Sequence, residues 1–204
     1  MQRHNPSDKK EKEIRPPKKI TKRYLTNAGL GYLKKFTASS GHFQKVMTRK
    51  IDRSCKWHVD QDKEECLKLL NEVTSYFQEL GYLNDEAYSK ALINSLARKG
   101  LSTRMMEQKL REKSISQELI RTRIETYKSE VDAQNSGLSV DQLNALQFIK
   151  RKKIGAYRSE KKEENKNREL SALARAGFSY NVANFALEIE QTEAENYLAA
   201  SSSF

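Results

Sequence analysis

Apolar residues recur along this chain at the three- and four-residue spacing of amphipathic helices, most clearly between Leu80 and Tyr127. Three helix starts are visible in that stretch, each marked by a small polar residue that can cap free backbone N–H groups. An apolar residue precedes each cap and another follows it four positions later, which is the spacing of a hydrophobic staple. The caps and their staple pairs are Asn84 with Leu83 and Tyr88, Ser102 with Leu101 and Met106, and Ser116 with Ile115 and Ile120. We therefore predict three short helices here, packed side by side.

Helix starts of the same kind lie on both sides of this stretch. They are Thr21, Ser39 or Ser40, Asp62, Ser139 and Ser179, with one more start near Ser159. Two of the caps are followed three residues later by a residue that completes a capping box, Glu65 after Asp62 and Gln142 after Ser139. The first helix is predicted to run to about Phe36, and the last apolar face ends at Ile189. Trp57, between the second and third helices, is interpreted as a core residue rather than a platform on which bases stack.

These starts give nine helices in three groups of three. We predict an all-α fold, an elongated tandem array of three three-helix repeats. The predicted units are a disordered basic tail and linker at 1–19, repeat 1 at 20–80, repeat 2 at 81–131 and repeat 3 at 138–200. The alternative is a single globular helical bundle. The small apolar core that each helix offers favours the repeats.

Composition supports helices and argues against several other classes. The 204 residues include only 8 Gly and 3 Pro, which disfavours turn-rich β architectures. No apolar run approaches the roughly 20 residues of a membrane span. The first residues are polar and charged, unlike a signal peptide. We expect a cytoplasmic monomer.

The two cysteines, Cys55 and Cys66, offer little chemistry. Cys66 falls on an apolar helical stripe, so we expect a buried, reduced thiol. Cys55 with His58 could suggest a metal site, but a structural zinc needs four ligands and the other histidines are isolated. We expect no metal and no cofactor.

Positive charge is abundant and concentrated in three segments. The formal net charge is +11. Residues 1–23 hold nine Lys/Arg against three acids, residues 98–128 nine against four, and residues 150–168 nine against three. Residues 24–97 are nearly balanced, with ten against nine. Blocks of this size attract polyanions such as nucleic acid. The alternative is a solvated surface that keeps the protein soluble, which would not require the signs to be segregated.

The motifs that would indicate catalysis are missing. The chain has no phosphate-binding Gly-rich loop, HExxH pair, GxSxG elbow or dinucleotide fingerprint. Acidic pairs such as Glu64-Glu65 are adjacent on a helix, so their side chains diverge. We predict that the protein is not an enzyme.

The capped helices also carry a resemblance to the RecX family of recombinase regulators, which extends over about residues 20–187. The strings that carry it in the middle of the chain are Gly81-Tyr82-Leu83-Asn84-Asp85, Arg98-Lys99-Gly100, and Ile115-Ser116 with Leu119-Ile120. Further strings are Tyr24-Leu25, Arg49-Lys50-Ile51, Lys150-Arg151-Lys152-Lys153-Ile154-Gly155, and Leu173-Ala174-Arg175-Ala176-Gly177-Phe178-Ser179-Tyr180. Two positions depart from the family pattern, Asn84 where Asp is usual and Ser102 where Gly is common.

The resemblance implies a regulator that binds the RecA–DNA filament along its groove and lowers the recombinase, ATPase and coprotease activities. It also implies affinity for single- and double-stranded DNA. Within this picture we predict that filament DNA or the recombinase surface is contacted by the cations of the second and third repeats. These are Arg98, Lys99, Arg104, Lys109, Arg111, Lys150, Arg151, Lys152, Lys153 and Arg158. Two alternatives remain open, a general helical DNA- or RNA-binding protein without a recombinase partner, and an adaptor for another acidic protein.

Overall fold

The computed structural model describes residues 16–132, 137–159 and 166–200, and within them it contains helices and no strand. The α-helices are α1 (Lys22–Leu33), α2 (Ser40–Trp57), α3 (Lys63–Glu79), α4 (Asp85–Arg98), α5 (Thr103–Glu112), α6 (Gln117–Asp132), α7 (Val140–Lys152), α8 (Lys166–Arg175), α9 (Tyr180–Glu188) and α10 (Gln191–Ala200), with a short 3-10 helix at Gly155–Tyr157 after α7. The all-α prediction is confirmed. Predictions that concern residues 1–15, 133–136, 160–165 and 201–204 lie outside the described residues.

The helices begin where the sequence places their caps. A backbone N–H in the first turn donates to the cap side chain at Thr21, Ser39, Asp62, Asn84, Ser102, Ser116, Ser139 and Ser179. Each such bond contributes about 1 kcal/mol to helix stability. At Ser139 the full capping box with Gln142 is present. At Asp62 the carboxylate accepts from the N–H of Glu64, and no bond returns from Glu65, so the predicted box is wrong there.

Three local predictions differ from the structure. The helix count was wrong, because α10 follows the last predicted apolar face and gives ten α-helices within the described residues. Its sequence carries only Ala194 and Leu198 as buried apolar positions, too few to announce a helix. Trp57 is 54% exposed at the end of α2 and is not a core residue. Helix α1 ends at Leu33, and Phe36 lies beyond it, largely exposed.

The buried side chains form three clusters that follow one another along the chain. The first joins α1, α2 and α3 around Phe43, Met47, Leu70, Val73 and Phe77. The second joins α4, α5 and α6 around Ile93, Met106, Leu110, Ile120 and Ile124. The third joins α7 to α8, α9 and α10 around Leu146, Ile149, Leu173, Ala186 and Ala194. Helix α7 serves two clusters, because Val140 and Leu143 at its start pack on the second one. The core is therefore a row of small clusters.

The joint between the first and second groups of helices is made by the start of α2. The Ser39 hydroxyl donates to the carbonyl of Lys113, in the turn between α5 and α6. The N–H of Ser40 donates to the Asp85 carboxylate at 2.7 Å. Because Asp85 opens α4, α2 is tied both to the first helix of the next group and to the turn before its third helix.

The joint between the second and third groups repeats this design at the start of α5. The N–H of Ser102 donates to the carbonyl of Ala176 at 3.2 Å, in the turn between α8 and α9. The N–H of Thr103 donates to the Asp141 carboxylate at 2.8 Å, in the first turn of α7. The second helix of each of these two groups is thus bonded to the next group. The result is a tandem array.

Candidate binding surfaces

The ends of α4 and α7 bring five of the predicted cations into one cluster. Arg98 and Lys99 close α4, while Arg151, Lys152 and Lys153 close α7, and all five side chains are exposed. The two ends are joined directly, since Nε of Arg151 donates to the Lys99 carbonyl at 3.1 Å. Cations at helix C-termini also complement the negative ends of the helix dipoles. We call these five residues the α4–α7 cluster.

Lys150 lies on α7 just before this cluster and is held partly by the protein itself. Its Nζ is 3.7 Å from a carboxylate oxygen of Glu195 on α10. It also lies 5.8 Å from the centre of the Tyr157 ring, within cation–π range. The Lys150 and Glu195 side chains are each about half exposed, so their ion pair competes weakly with an external anion.

Helix α5 presents a second surface, formed by Arg104, Gln108 and Arg111. All three are exposed and lie opposite the buried Met106 and Leu110. We call them the α5 surface. They lie on one stripe of the helix. The end of this stripe is next to the joint between the first and second groups of helices.

Two cations of α5 already have acidic partners on the same helix. Arg111 pairs with Glu107 at 2.8 Å, and Lys109 pairs with Glu112 at 2.9 Å. The hydrogen bond from Lys109 holds the pKa of the Glu112 carboxyl below its usual value. Exposed pairs of this kind contribute at most about 1 kcal/mol, so a polyanion can displace them. The α5 surface nonetheless carries less net positive charge than its number of Lys and Arg residues suggests.

Arg158 has a role inside the fold. Its guanidinium binds both carboxylate oxygens of Glu169, at 3.0 Å and 2.7 Å, and only 19% of its side chain is exposed. Glu169 is buried in α8 and also accepts from the Gly155 N–H at 3.3 Å. A buried carboxylate needs such a partner, because its desolvation is otherwise costly. Of the ten predicted binding residues, Arg158 therefore has the least charge to offer a ligand.

The described residues offer no obvious catalytic centre. No group of three or more His, Cys, Asp or Glu side chains is arranged to hold a metal ion in this part of the chain. Cys66 is a buried free thiol, as predicted. Burial, followed by the neighbouring Cys55, raises its pKa to about 11, so it is a poor nucleophile at neutral pH. None of the described helices has both the length and the apolar content needed to cross a bilayer.

Sequence reasoning nominated no binding residue between 24 and 97, since that span is nearly neutral. The structure shows that its charges are unevenly placed. Lys45 and Arg49 are exposed one turn apart on α2, and neither has an acidic partner within the described residues. Their spacing along a helix was the available signal.

The fold and surfaces define a class of protein, a tandem array of small helical groups, the first two of three helices each, with basic surfaces and no catalytic cluster among its described residues. A family model described as RecX, second three-helix domain, matches residues 84–122. The chain is 36% identical over 183 residues to the regulatory protein RecX of Myxococcus xanthus, covering 89% of this chain and 93% of that protein. It is 29% identical to the regulatory protein RecX of Agrobacterium fabrum, over 76% of this chain and 82% of that one.

A solved structure of a regulatory protein RecX shares the fold. Its TM-score is 0.51 at 15% sequence identity, over 82% of this chain and 72% of that chain. The chain belongs to the RecX family of regulatory proteins.

Proposed function

We propose that this protein binds the filament that RecA forms on DNA and lowers its recombinase, ATPase and coprotease activities. The observation that carries the proposal is similarity to a regulatory protein RecX over nearly the whole of both chains. The placement of exposed cations on a tandem array adds physical support. A row of small helical clusters offers a long surface, and such a surface suits a helical polymer better than a small ligand.

Two basic surfaces would then contact the filament. The α4–α7 cluster has the higher density of cations without an acidic partner among the described residues, and it would contact filament DNA phosphates or an acidic recombinase surface. The α5 surface would contact the same filament from the preceding repeat. An array anchored at both places bridges neighbouring protomers, and it blocks filament growth or the approach of a second duplex.

The proposal keeps the unit boundaries expected from the sequence, with repeats at 20–80, 81–131 and 138–200 after a basic tail at 1–19. The protein would act as a cytoplasmic monomer with single- and double-stranded DNA and RecA as partners. Limited proteolysis tests the boundaries. Stable fragments should end near these boundaries.

The ATPase of RecA on single-stranded DNA tests the function. We expect inhibition at protein concentrations well below that of RecA, because one bound array spanning several protomers can block many events. The double substitution Arg104→Glu with Arg111→Glu should weaken inhibition several-fold while leaving the helix content unchanged. The matched control is Arg23→Glu with Arg53→Glu, which makes the same charge change at exposed positions of α1 and α2.

The competing function is general binding of DNA or RNA without a recombinase partner. A protein that only covers DNA inhibits RecA when it coats the strand, and both double variants then lose inhibition in step with their loss of DNA affinity. That outcome would refute the filament proposal and establish the alternative.

A further inference from the structure

An open groove lies where α2 meets the turn between α5 and α6, at the joint between the first and second groups of helices. Its volume is about 440 Å³. One face of α2 and a single residue of the turn line it: Gly41, Gln44, Lys45, Thr48, Arg49 and Ser114. None of these residues belongs to the surfaces described above, although the groove adjoins the end of α5.

The absence of a side chain at Gly41 creates this arrangement. A Cβ atom there would lie 2.5 Å from the carbonyl oxygen of Ser114 and 2.7 Å from its Cβ. Real Cβ atoms do not approach backbone so closely, so only glycine lets α2 lie against the turn. Ser114 itself has a φ of 59°, in the left-handed region. The two walls of the groove are therefore fixed relative to each other.

The groove is positively charged and, within the described residues, contains no compensating acid. Lys45 and Arg49 line it, and Lys113 precedes Ser114 in the turn. None of the three lies in an ion pair within the part of the chain that the structure describes. Burial lowers the pKa of His42, and the nearby charges of Lys113, Arg49 and Lys45 lower it further. All three cations thus act on one place.

The equivalent face at the second joint is different in charge. Counting from the caps Ser39 and Ser102, the positions of Gln44 and Arg49 correspond to Glu107 and Glu112 on α5. There the two acids bind Arg111 and Lys109, as described above. At the first joint Gln44 and Arg49 stand in place of these two acids, so its positive charge is not a general property of the joints.

A buried polar atom at the groove also lacks a partner. The Ser114 hydroxyl oxygen is shielded from solvent and makes no hydrogen bond within the described residues. A buried hydroxyl without a partner costs about 1–3 kcal/mol. The hydroxyl hydrogen turns about the Cβ–Oγ bond, so it is available to donate to an acceptor oxygen placed beside it.

We propose that this groove binds a phosphodiester group of a nucleic-acid backbone, with Lys45 and Arg49 on one wall and Ser114 with Lys113 on the other. A phosphate has the negative charge and the acceptor oxygens that these groups lack. Because the walls belong to different groups of helices, a bound strand contacts the first and second repeats together. The inference rests on the proposed function in that it adds a DNA contact to the same protein, but DNA binding can be measured without a recombinase.

The test measures the affinity of the full chain for a fluorescein-labelled oligothymidylate of about 20 nucleotides, by anisotropy across a series of salt concentrations. The variant is Lys45→Ala with Arg49→Ala. The control is Lys50→Ala with Arg53→Ala, which removes the same two side-chain types from exposed positions of α2 outside the groove. We expect the groove variant to lose roughly tenfold in affinity and about 0.7 in log–log salt slope, the value for one phosphate on a single strand.

The control variant should change affinity by less than half as much on the logarithmic scale. Equal losses in both variants would mean that α2 contributes only general charge, and no loss in the groove variant would mean that no phosphate lies there. Either result overturns the inference.

Poly-L-glutamate, added as a competitor, distinguishes a site for nucleic-acid phosphates from a site for an acidic protein surface. If it displaces the oligonucleotide at equal charge concentration from wild type but not from the groove variant, the groove takes carboxylates and the phosphodiester assignment is wrong.

A second readout does not depend on affinity. The pKa of His42, followed by NMR, should rise when the oligonucleotide is added to the wild-type protein, because a nearby phosphate offsets the three cations. It should not rise in the groove variant.

RecA ATPase inhibition separates the two proposals. If the groove variant loses DNA affinity but even the wild-type protein does not inhibit RecA, the proposed function alone is refuted. If the wild-type protein inhibits RecA but the groove substitutions leave DNA affinity unchanged, this inference alone is refuted.

Discussion

The joints between helix groups make a sharp prediction, because two glycines with similar backbone conformations have different surroundings. Gly81 follows α3 and Gly100 follows α4, and both have positive φ, 75° and 64°. In both turns the glycine N–H donates to the carbonyl three residues earlier, from Gly81 to Gln78 at 3.0 Å and from Gly100 to Ala97 at 2.7 Å. The bond from Leu101 to Leu96 at 3.2 Å completes a Schellman motif at Gly100, and at both positions glycine is favoured because it adopts a positive φ without strain.

Only Gly100 is also pressed against another helix. A Cβ atom at Gly100 would lie 2.4 Å from the backbone nitrogen of Phe148 and 2.7 Å from the carbonyl oxygen of Asn144, whereas a Cβ at Gly81 would have no neighbour within 4 Å. The left-handed conformation costs alanine about 1–2 kcal/mol. Loss of unfolded-state freedom returns about 0.4–1 kcal/mol of that. The Gly81→Ala protein should therefore lose roughly 1 kcal/mol or less in unfolding free energy.

The Gly100→Ala protein adds the cost of separating α4 from α7, about 1–3 kcal/mol for overpacking. We expect it to be less stable than the Gly81→Ala protein by about 2 kcal/mol. Urea unfolding followed by far-UV circular dichroism measures both. Equal losses from the two substitutions would show that the second joint is not a close contact, and the reasoning from backbone distances would be refuted.

Three further predictions concern single side chains. Tyr127→Phe removes the buried hydroxyl that donates to Asn144 at 2.9 Å and should lower the unfolding free energy by about 1–2 kcal/mol in a urea titration. Glu169→Gln should cost about 3 kcal/mol by the same assay, because it leaves the Arg158 guanidinium largely buried beside a neutral amide, and a loss below about 1 kcal/mol would contradict the internal role of that pair. His42 has a folded-state pKa below its usual value, so the unfolded chain takes up its proton first and stability should fall as the pH drops from about 6.5 through the folded-state pKa; His42→Asn should flatten this fall in thermal melts at a series of pH values.

Sequence reasoning succeeded where the physics is local. Caps depend on a residue and the three or four that follow it, so Asn84, Ser102 and Ser139 identified their helices without any knowledge of the fold. The sequence does not predict helix α10, because this helix buries only two apolar side chains, Ala194 and Leu198. These two are enough to hold it in place because α7 provides the surface that they cover. That surface does not exist in a local window of sequence.

The charged surfaces were harder to predict, because a count of bases does not show how many are neutralised. Arg158 belongs to the most basic part of the chain, yet it is matched by a glutamate on another helix. Lys45 and Arg49 belong to a nearly neutral stretch, yet the structure gives them no acidic partner among the described residues. Both outcomes depend on contacts between residues distant in sequence, which spacing alone cannot reveal.

The joints cannot be predicted from the sequence for the same reason, because local spacing identifies Ser39 and Ser102 only as caps. Each also holds the following group of helices, through Lys113 and Ala176 respectively. The Ser39 hydroxyl performs both tasks, because it accepts from the His42 N–H and donates to Lys113, whereas Ser102 caps with its hydroxyl and donates to Ala176 with its backbone N–H.

The central claim is that this RecX-family protein recognises the RecA filament itself and not only its DNA. Co-sedimentation with filaments assembled on single-stranded DNA with a non-hydrolysable ATP analogue tests it most directly, at a salt concentration where the protein no longer binds the same DNA without RecA. The account predicts that the protein sediments with the filament, saturates below one molecule per RecA protomer, and is released by the Arg104→Glu, Arg111→Glu substitutions. Sedimentation only under conditions in which bare DNA is also bound, with the same affinity, would contradict it.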